Sequence, residues 1–215
     1  MLGARFAPLR LLGVETGAPR WPSLTLAHGG LLVRPPDHDD FAAWARLREA
    51  SRAFLVPWEP PWPVDDLTRP AFKRRVRRYH NEIGRDEAYP FFIFDQASHA
   101  LMGGLTLGNV RRGAAQAATL GYWMGAAHAG RGVMSRAVGM VCRHGFRQLG
   151  LQRIEAACLP ENAPSIHLLE KAGFEREGFA RRYLNIDGVR RDHVLFALLP
   201  ENAKNFLAST PQSTG

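Results

Sequence analysis

Gly130-Arg131-Gly132 stands where one sequence pattern gives way to another. Ala117 to Trp123 before it reads as a strand. From Arg131 to Leu149, Met134, Ala137, Val138, Val141, Cys142, Phe146 and Leu149 recur at intervals of three and four, the pattern of an amphipathic helix. Such a junction suits an anion. The first turn of a helix leaves backbone N–H groups unpaired and carries about half a positive charge, so phosphate oxygens fit there. Glycine lets the backbone approach them closely, and Arg131 adds a cation. The glycines do not continue into Gly-x-Gly-x-x-Gly, and no Gly-Lys-Ser/Thr is present, so neither a dinucleotide fingerprint nor a P-loop is predicted. Taken locally, the segment serves equally as a tight strand-to-helix turn.

A second polar pair follows about 30 residues on. Asn162 and Ser165 are three apart at the start of a short helix, with Pro164 in its first turn. Both can face one side of the helix start and meet a ligand, or both can simply cap it. The eight histidines show no zinc spacing, so no metal is predicted. Cys142 and Cys158 lie in apolar segments and read as core residues without a nucleophilic role.

These groups need a frame, and the rest of the chain supplies one. Leu31 to Arg34 reads as a strand stopped by Pro35-Pro36, and Asp37 to about Arg52 as a helix with Asp37 as its cap and Phe41, Trp44, Leu47 and Ala50 on its apolar side. Phe54-Leu-Val-Pro-Trp58-Glu59-Pro-Pro-Trp62-Pro is a loop, because its prolines forbid a regular ladder. A helix over about 67–83 carries the stripe Phe72, Val76, Tyr79 and Ile83, with Lys73, Arg74, Arg77 and Arg78 largely off it. Strands at 89–94, 101–107 and 117–123 form an antiparallel meander. After the helix closed by Gly150 come a strand at 153–159, a helix at 162–172 closed by Gly173, and a hairpin of 174–185 and 190–198 turning at Ile186-Asp187-Gly188.

Gly130-Arg-Gly132-Val-Met134 followed by Asn162-x-x-Ser165-x-x-x-Leu169-x-Lys171-x-Gly173-Phe174 resembles the GCN5-related N-acetyltransferase (GNAT) superfamily. Phe54-Leu-Val-Pro-Trp58-Glu59, Arg182 to Gly188 and Arg191-Asp192-His193 resemble its ribosomal-protein-alanine N-acetyltransferases, the RimJ type. The resemblance implies an α/β (α+β) GNAT fold: a mixed central sheet of about seven strands, splayed at the acetyl-CoA site and flanked by helices. It spans residues 29–200, leaving 1–28 as an N-terminal extension and 201–215 as a flexible tail. It also implies acetyl transfer from acetyl-CoA to an amine by direct attack in a ternary complex, with no metal. Trp123, Met124 and Gly125 would pair with the pantetheine arm. Gly130, Arg131, Gly132, Val133, Met134 and Ser135 would hold the pyrophosphate, although Ala129 stands where the family usually has Gln or Arg. Asn162 would bind the cofactor, and Lys171 would reach its outer phosphate.

The implied chemistry needs an acid, an oxyanion donor and a base. Ser165 would protonate the leaving thiolate, with Tyr183 as the alternative, and the Met124 N–H would stabilise the oxyanion. Glu59 is the first candidate base, Glu155 the second and Asp187 the third. Each can equally be an exposed or ion-paired carboxylate, and Asp187 also a turn former. An α-amino group titrates at about 7.7–8.0, so a water relay would suffice.

The formal net charge of +8 attracts anions, ribosomal RNA among them. The basic helix residues can touch RNA or form a solvated face, and Trp58 and Trp62 can line an acceptor groove or staple their loop to the core. No run of about 18 apolar residues is present, so no membrane span is predicted and a cytoplasmic location follows. The resemblance implies the N-terminal alanine of an S5-like ribosomal protein as acceptor. The alternatives are a small amine such as an aminoglycoside or polyamine, and a non-catalytic ribosome-associated binding protein on the same scaffold. The sequence leaves the oligomeric state open.

Overall fold

The computed structural model of the protein describes residues 21–203. The strands are β1 (Leu26–His28), β2 (Leu31–Arg34), β3 (Tyr89–Asp95), β4 (Leu101–Arg111), β5 (Ala117–Met124), β6 (Arg153–Cys158), β7 (Glu175–Ile186) and β8 (Val189–Leu198). They form one sheet in the order β1-β2-β3-β4-β5-β6-β8-β7. Only β5 and β6 are parallel. A parallel neighbour requires a long return, and helix α4 (Val133–Arg147) provides it. The remaining helices are α1 (Phe41–Ala50), α2 (Arg52–Leu55), α3 (Arg69–Gly84) and α5 (Ala163–Lys171).

The sheet has one strand more than the seven expected. β1 falls inside the segment read as an extension and pairs with β2 across Gly29-Gly30, both at positive φ. That backbone is the one a two-residue hairpin requires. At the other end, Ala203 is buried and the Asn202 side chain reaches Glu175. The expectations for residues 1–20 and 204–215 lie outside the described residues.

Two apolar clusters fix the two faces of the sheet. Ala118, Leu120, Tyr122 and Met124 of β5 belong with Ile154, Ala156 and Cys158 of β6, with Val138, Val141 and Cys142 of α4, and with Leu169 of α5. Trp123 belongs with Trp44 of α1 and with Phe72 and Val76 of α3. Alternation along a strand is the cause, since successive side chains point to opposite faces. Each fully buried side chain of this kind contributes about 1.5–3 kcal/mol before entropy.

The helices depart from expectation at polar positions. Asp37 caps a 3-10 turn, His38–Asp40, in a reciprocal box with Asp40, and α1 begins only after it. On α1 the buried residues are Trp44 and Arg48, four apart, while Ala50 is exposed. On α3 the buried stripe uses His80, bonded to the Pro36 carbonyl, where Tyr79 was expected. A buried Arg or His needs a partner. Each has one, but the partner is distant in the chain, which is why periodicity assigned the neighbouring apolar residue.

His144 of α4 is buried, and its Nε2 is enclosed without a partner among the described residues. Burial holds its imidazolium below the usual histidine range. The unfolded chain therefore binds a proton at higher pH than the folded one. The resulting stability is complete above about pH 6.5 and declines as pH falls toward the depressed folded value. The urea midpoint of His144→Leu is expected to fall less between pH 7 and pH 5 than that of the wild type. Equal falls would show that His144 contributes nothing in that window.

Candidate active site

β5 and β6 stay together from Ala117 and Arg153 as far as Leu120 and Ala156, then part. Beyond that point β5 remains bound to β4, through Trp123 opposite Gly104 and Met124 opposite Gly103. Its exit is tied the same way: Gly125 N–H donates to the Met102 carbonyl and Ala126 N–H to the Ser51 hydroxyl. β6 instead continues with β8 and ends at Cys158, before Pro160. The result is a wedge-shaped opening between the two parallel strands.

The backbone edge of β5 faces this opening. A Cβ built on Gly103 would lie 2.6 Å from the Trp123 carbonyl oxygen, so that carbonyl points toward β4. The N–H of Met124 belongs to the same peptide and points the opposite way, into the wedge. Backbone direction alternates along a strand, so the Tyr122 N–H and C=O share that edge. The same lack of a Cβ at Gly104 accommodates the Trp123 indole, which would otherwise meet it at 2.7 Å. The Gly103-Gly104 pair thus lets β4 and β5 lie close at the wedge. The sequence reading passed over it, although adjacent glycines inside an apolar strand are a signal of close approach.

The glycine loop stands at the mouth of the wedge. Gly130 and Gly132 adopt φ of 73° and 70°, the left-handed region, and nothing lies within 4 Å of a Cβ built on either. Gly132 is the N-cap of α4 and supplies no side chain to the orphan N–H groups. Val133 and Met134 are buried in the core beneath, while Arg131 and Gly132 are exposed. Ser135 is half-buried in the first turn. A cradle of open backbone N–H groups beside an exposed guanidinium fits a pyrophosphate, and the lack of a polar side chain at Ala129 leaves that cradle intact.

Asn162 caps α5: its Oδ1 accepts from the Ser165 N–H at 3.2 Å. The Ser165 hydroxyl makes no hydrogen bond with any described residue, and its carbonyl accepts from the Tyr122 hydroxyl at 3.5 Å. Tyr122 therefore spans the wedge from β5 to α5, on the α4 face. Burial raises its hydroxyl to about 12, so at neutral pH it keeps its proton and can donate. Lys171 is exposed at the far end of α5, about 13 Å along the axis from the cap.

The opposite face holds the candidate bases. Both Glu59 oxygens are engaged by Arg48, at 2.8 and 2.7 Å, and one also accepts from the Trp62 indole at 2.7 Å. The Arg48 guanidinium lies 4.0 Å from the Trp62 ring centre and 5.0 Å from that of Trp123. The proline-rich loop is thereby latched over the end of β5, and the Glu59 carbonyl accepts the Asp187 N–H, joining it to the hairpin tip. Asp187 is exposed at the turn with φ 47°. Glu155 lies on the paired side of the wedge. Partial burial raises its carboxyl, but Arg111 and Arg153 outweigh burial and hold it below the ordinary range, which weakens it as a base. Tyr183 is exposed in a bulge of β7, its ring edge-on to His193 at 5.6 Å. Burial pushes the Cys142 thiol up and the Cys158 thiol to about 11, so neither is a thiolate at neutral pH. No group of acidic, histidine or cysteine side chains among the described residues could hold a metal ion. Nor is any helix among them long and apolar enough to cross a membrane.

Residues 30–175 match the family described as the acetyltransferase (GNAT) domain. The chain is 37% identical over 169 residues to the probable N-acetyltransferase YjcK of Bacillus subtilis, covering 79% of this chain and 93% of that one. It is 34% identical over 177 residues to the [ribosomal protein uS5]-alanine N-acetyltransferase of Escherichia coli, covering 82% and 91%. Among solved structures, Mycobacterium smegmatis RimJ in complex with CoA-disulfide superposes with a TM-score of 0.78 at 35% identity, covering 83% of this chain and 88% of that one.

Proposed function

Because the chain belongs to the acetyltransferase (GNAT) family and is an acyltransferase that draws on acetyl-CoA, we propose that it acetylates the N-terminal α-amine of a ribosomal protein, with an S5-like alanine as acceptor. The observation that carries this reading is the similarity, over 82% of this chain and 91% of the other, to the E. coli enzyme named for that reaction. The wedge supports it. The Arg48–Glu59 latch and the hairpin tip bound an approach on the face opposite α4, and the carboxylates Glu59 and Glu155 there are both neutralised by arginines. A polycationic small amine would call for free carboxylates.

When bound, acetyl-CoA supplies an acetyl group activated as a thioester. The open N–H groups of Gly130 to Met134, with Arg131 and Ser135, would hold its pyrophosphate, and Lys171 its outer phosphate. The edge formed by Tyr122, Trp123, Met124 and Gly125 would align the pantetheine, with Asn162 beside it. The Met124 N–H would stabilise charge on the carbonyl oxygen, and the Ser165 hydroxyl would give a proton to sulfur. Exposed Lys73, Arg74, Arg77 and Arg78 on α3 give the same reading a means of meeting ribosomal RNA, in the cytoplasm where ribosomes are.

The test is CoA release with peptides beginning Ala, Ser or Met, with aminoglycosides and with polyamines, followed by mass-spectrometric placement of the acetyl group. Acetyl on the α-nitrogen of the Ala peptide is expected. Turnover confined to lysine side chains or to small amines would overturn the proposal.

A further inference from the structure

His193 is 2% exposed, and no step so far uses it. Its place follows from register. Leu195 pairs with Ala157, and Val194 with Cys158, the last residue of β6. His193 is one residue further, level with Leu159. Counting from the last β5–β6 pair, Leu120 with Ala156, the β5 residue at that height is Trp123. The faces agree as well. Phe196 and Leu198 lie with α4, so Leu195 and His193 lie on the other face, where Trp123 is. His193 and Trp123 thus stand on the same face on either side of the wedge, three residues beyond its narrow end and farther apart than the about 10 Å of two paired-strand spacings. Between them lies the approach roofed by the Glu59 latch.

The tautomer of the ring suits a base. Its Nδ1 lies 3.0 Å from the Arg191 carbonyl oxygen. A carbonyl only accepts, so Nδ1 carries the hydrogen and Nε2 the lone pair. Nε2 makes no hydrogen bond with any described residue, and it is not among the enclosed unpartnered atoms. We propose that His193 is the general base for the acceptor amine, taking its proton at Nε2 directly or through one water.

Burial is the main cause that holds the imidazolium below the usual histidine range; the Arg191 charge acts the same way, and together they outweigh the Arg191 carbonyl and the Asp192 carboxylate, which act to raise it. The groups around it leave that balance in place. Tyr183 faces it from β7. On β8, Arg191 is paired with Glu161, and Asp192 accepts the Arg182 N–H. β6 presents Ala157 beside it, and Glu155 one pair further is held by its arginines. At the lip of the approach, Glu59 is neutralised by Arg48.

The proton count closes. The ammonium gives one proton to Nε2, and its nitrogen lone pair forms the C–N bond. The C–S bond breaks with its electron pair on sulfur. A second proton shed by nitrogen ends on that sulfur through Ser165, and the imidazolium releases its proton to water.

The inference rests on amine acetylation and is tested with whichever amine acceptor the enzyme turns over, so its failure is distinct from failure of the α-amine assignment. His193→Asn keeps a donor for the Arg191 carbonyl but has no basic nitrogen. Its kcat/KM is expected to fall on the order of 100-fold or more, with acetyl-CoA affinity by calorimetry unchanged. Added imidazole is expected to restore part of the activity of His193→Gly. In the wild type, ¹⁵N-histidine spectra with this ring assigned through its own backbone are expected to show the neutral Nδ1–H tautomer at pH 7. A kcat/KM within about threefold of wild type in folded His193→Asn would overturn the proposal. So would an Nε2–H or charged ring at pH 7, a result that does not depend on any variant folding.

Discussion

Gly132→Asp is expected to weaken acetyl-CoA binding on the order of 100-fold, about 2.7 kcal/mol. Gly132 sits at the N-cap of α4 with φ 70° and open space where a Cβ would project. An aspartate tolerates that backbone better than most residues, and nothing obstructs its side chain, so the fold survives. Its carboxylate lies where the pyrophosphate charge must lie, and two like charges repel there. Gly132→Ala separates charge from shape. It bears at least as much backbone strain without the charge, so its affinity is expected to fall far less than that of the aspartate variant. Calorimetric titration with acetyl-CoA reads both. Equal affinities for Gly132→Asp and wild type would remove the loop from the phosphate site.

Glu59→Ala is expected to destabilise the fold by about 3–5 kcal/mol, the usual result of stranding one member of a buried ion pair. The Arg48 side chain is 7% exposed and Glu59 19%, so solvent screens the pair little. Arg48 already has an enclosed Nε with no partner among the described residues. Without Glu59 its whole charge would be uncompensated between Trp62 and Trp123. Pairing Arg48→Met with Glu59→Leu removes both charges, and this double variant is expected to recover most of the loss. Urea midpoints at constant slope give the cycle. A Glu59→Ala midpoint equal to wild type would show that the latch contributes nothing to stability. The same pair explains why a carboxylate that stood first among the candidate bases is a poor one here: both its oxygens already serve the loop.

The elements that carry the site were legible from local rules. The α4 stripe from Met134 to Cys142 is buried as its spacing predicts, and the Asp187-Gly188 turn closes the last hairpin. Missing from the sequence reading were β1, Arg48, His80, the Gly103-Gly104 pair and the part proposed for His193. β1 had its signal in Gly29-Gly30. The others depend on partners remote in the chain: Glu59 for Arg48, Pro36 for His80, Trp123 for the glycines, and strand register for His193.

The sequence by itself determined that Gly130-Arg131-Gly132 opens a helix after a strand, and that Asn162 and Ser165 open another. Both follow from glycine's conformational freedom, capping chemistry and the 3.6-residue period, all of which act over a few residues. Only the tertiary structure decided which charged residues remain free for chemistry. A carboxylate reads the same in sequence whether it meets water or an arginine. Glu59 and Glu155 meet arginines once the strands and the latch are in place, and His193 is left neutral at the wedge because strands distant in the chain bury it.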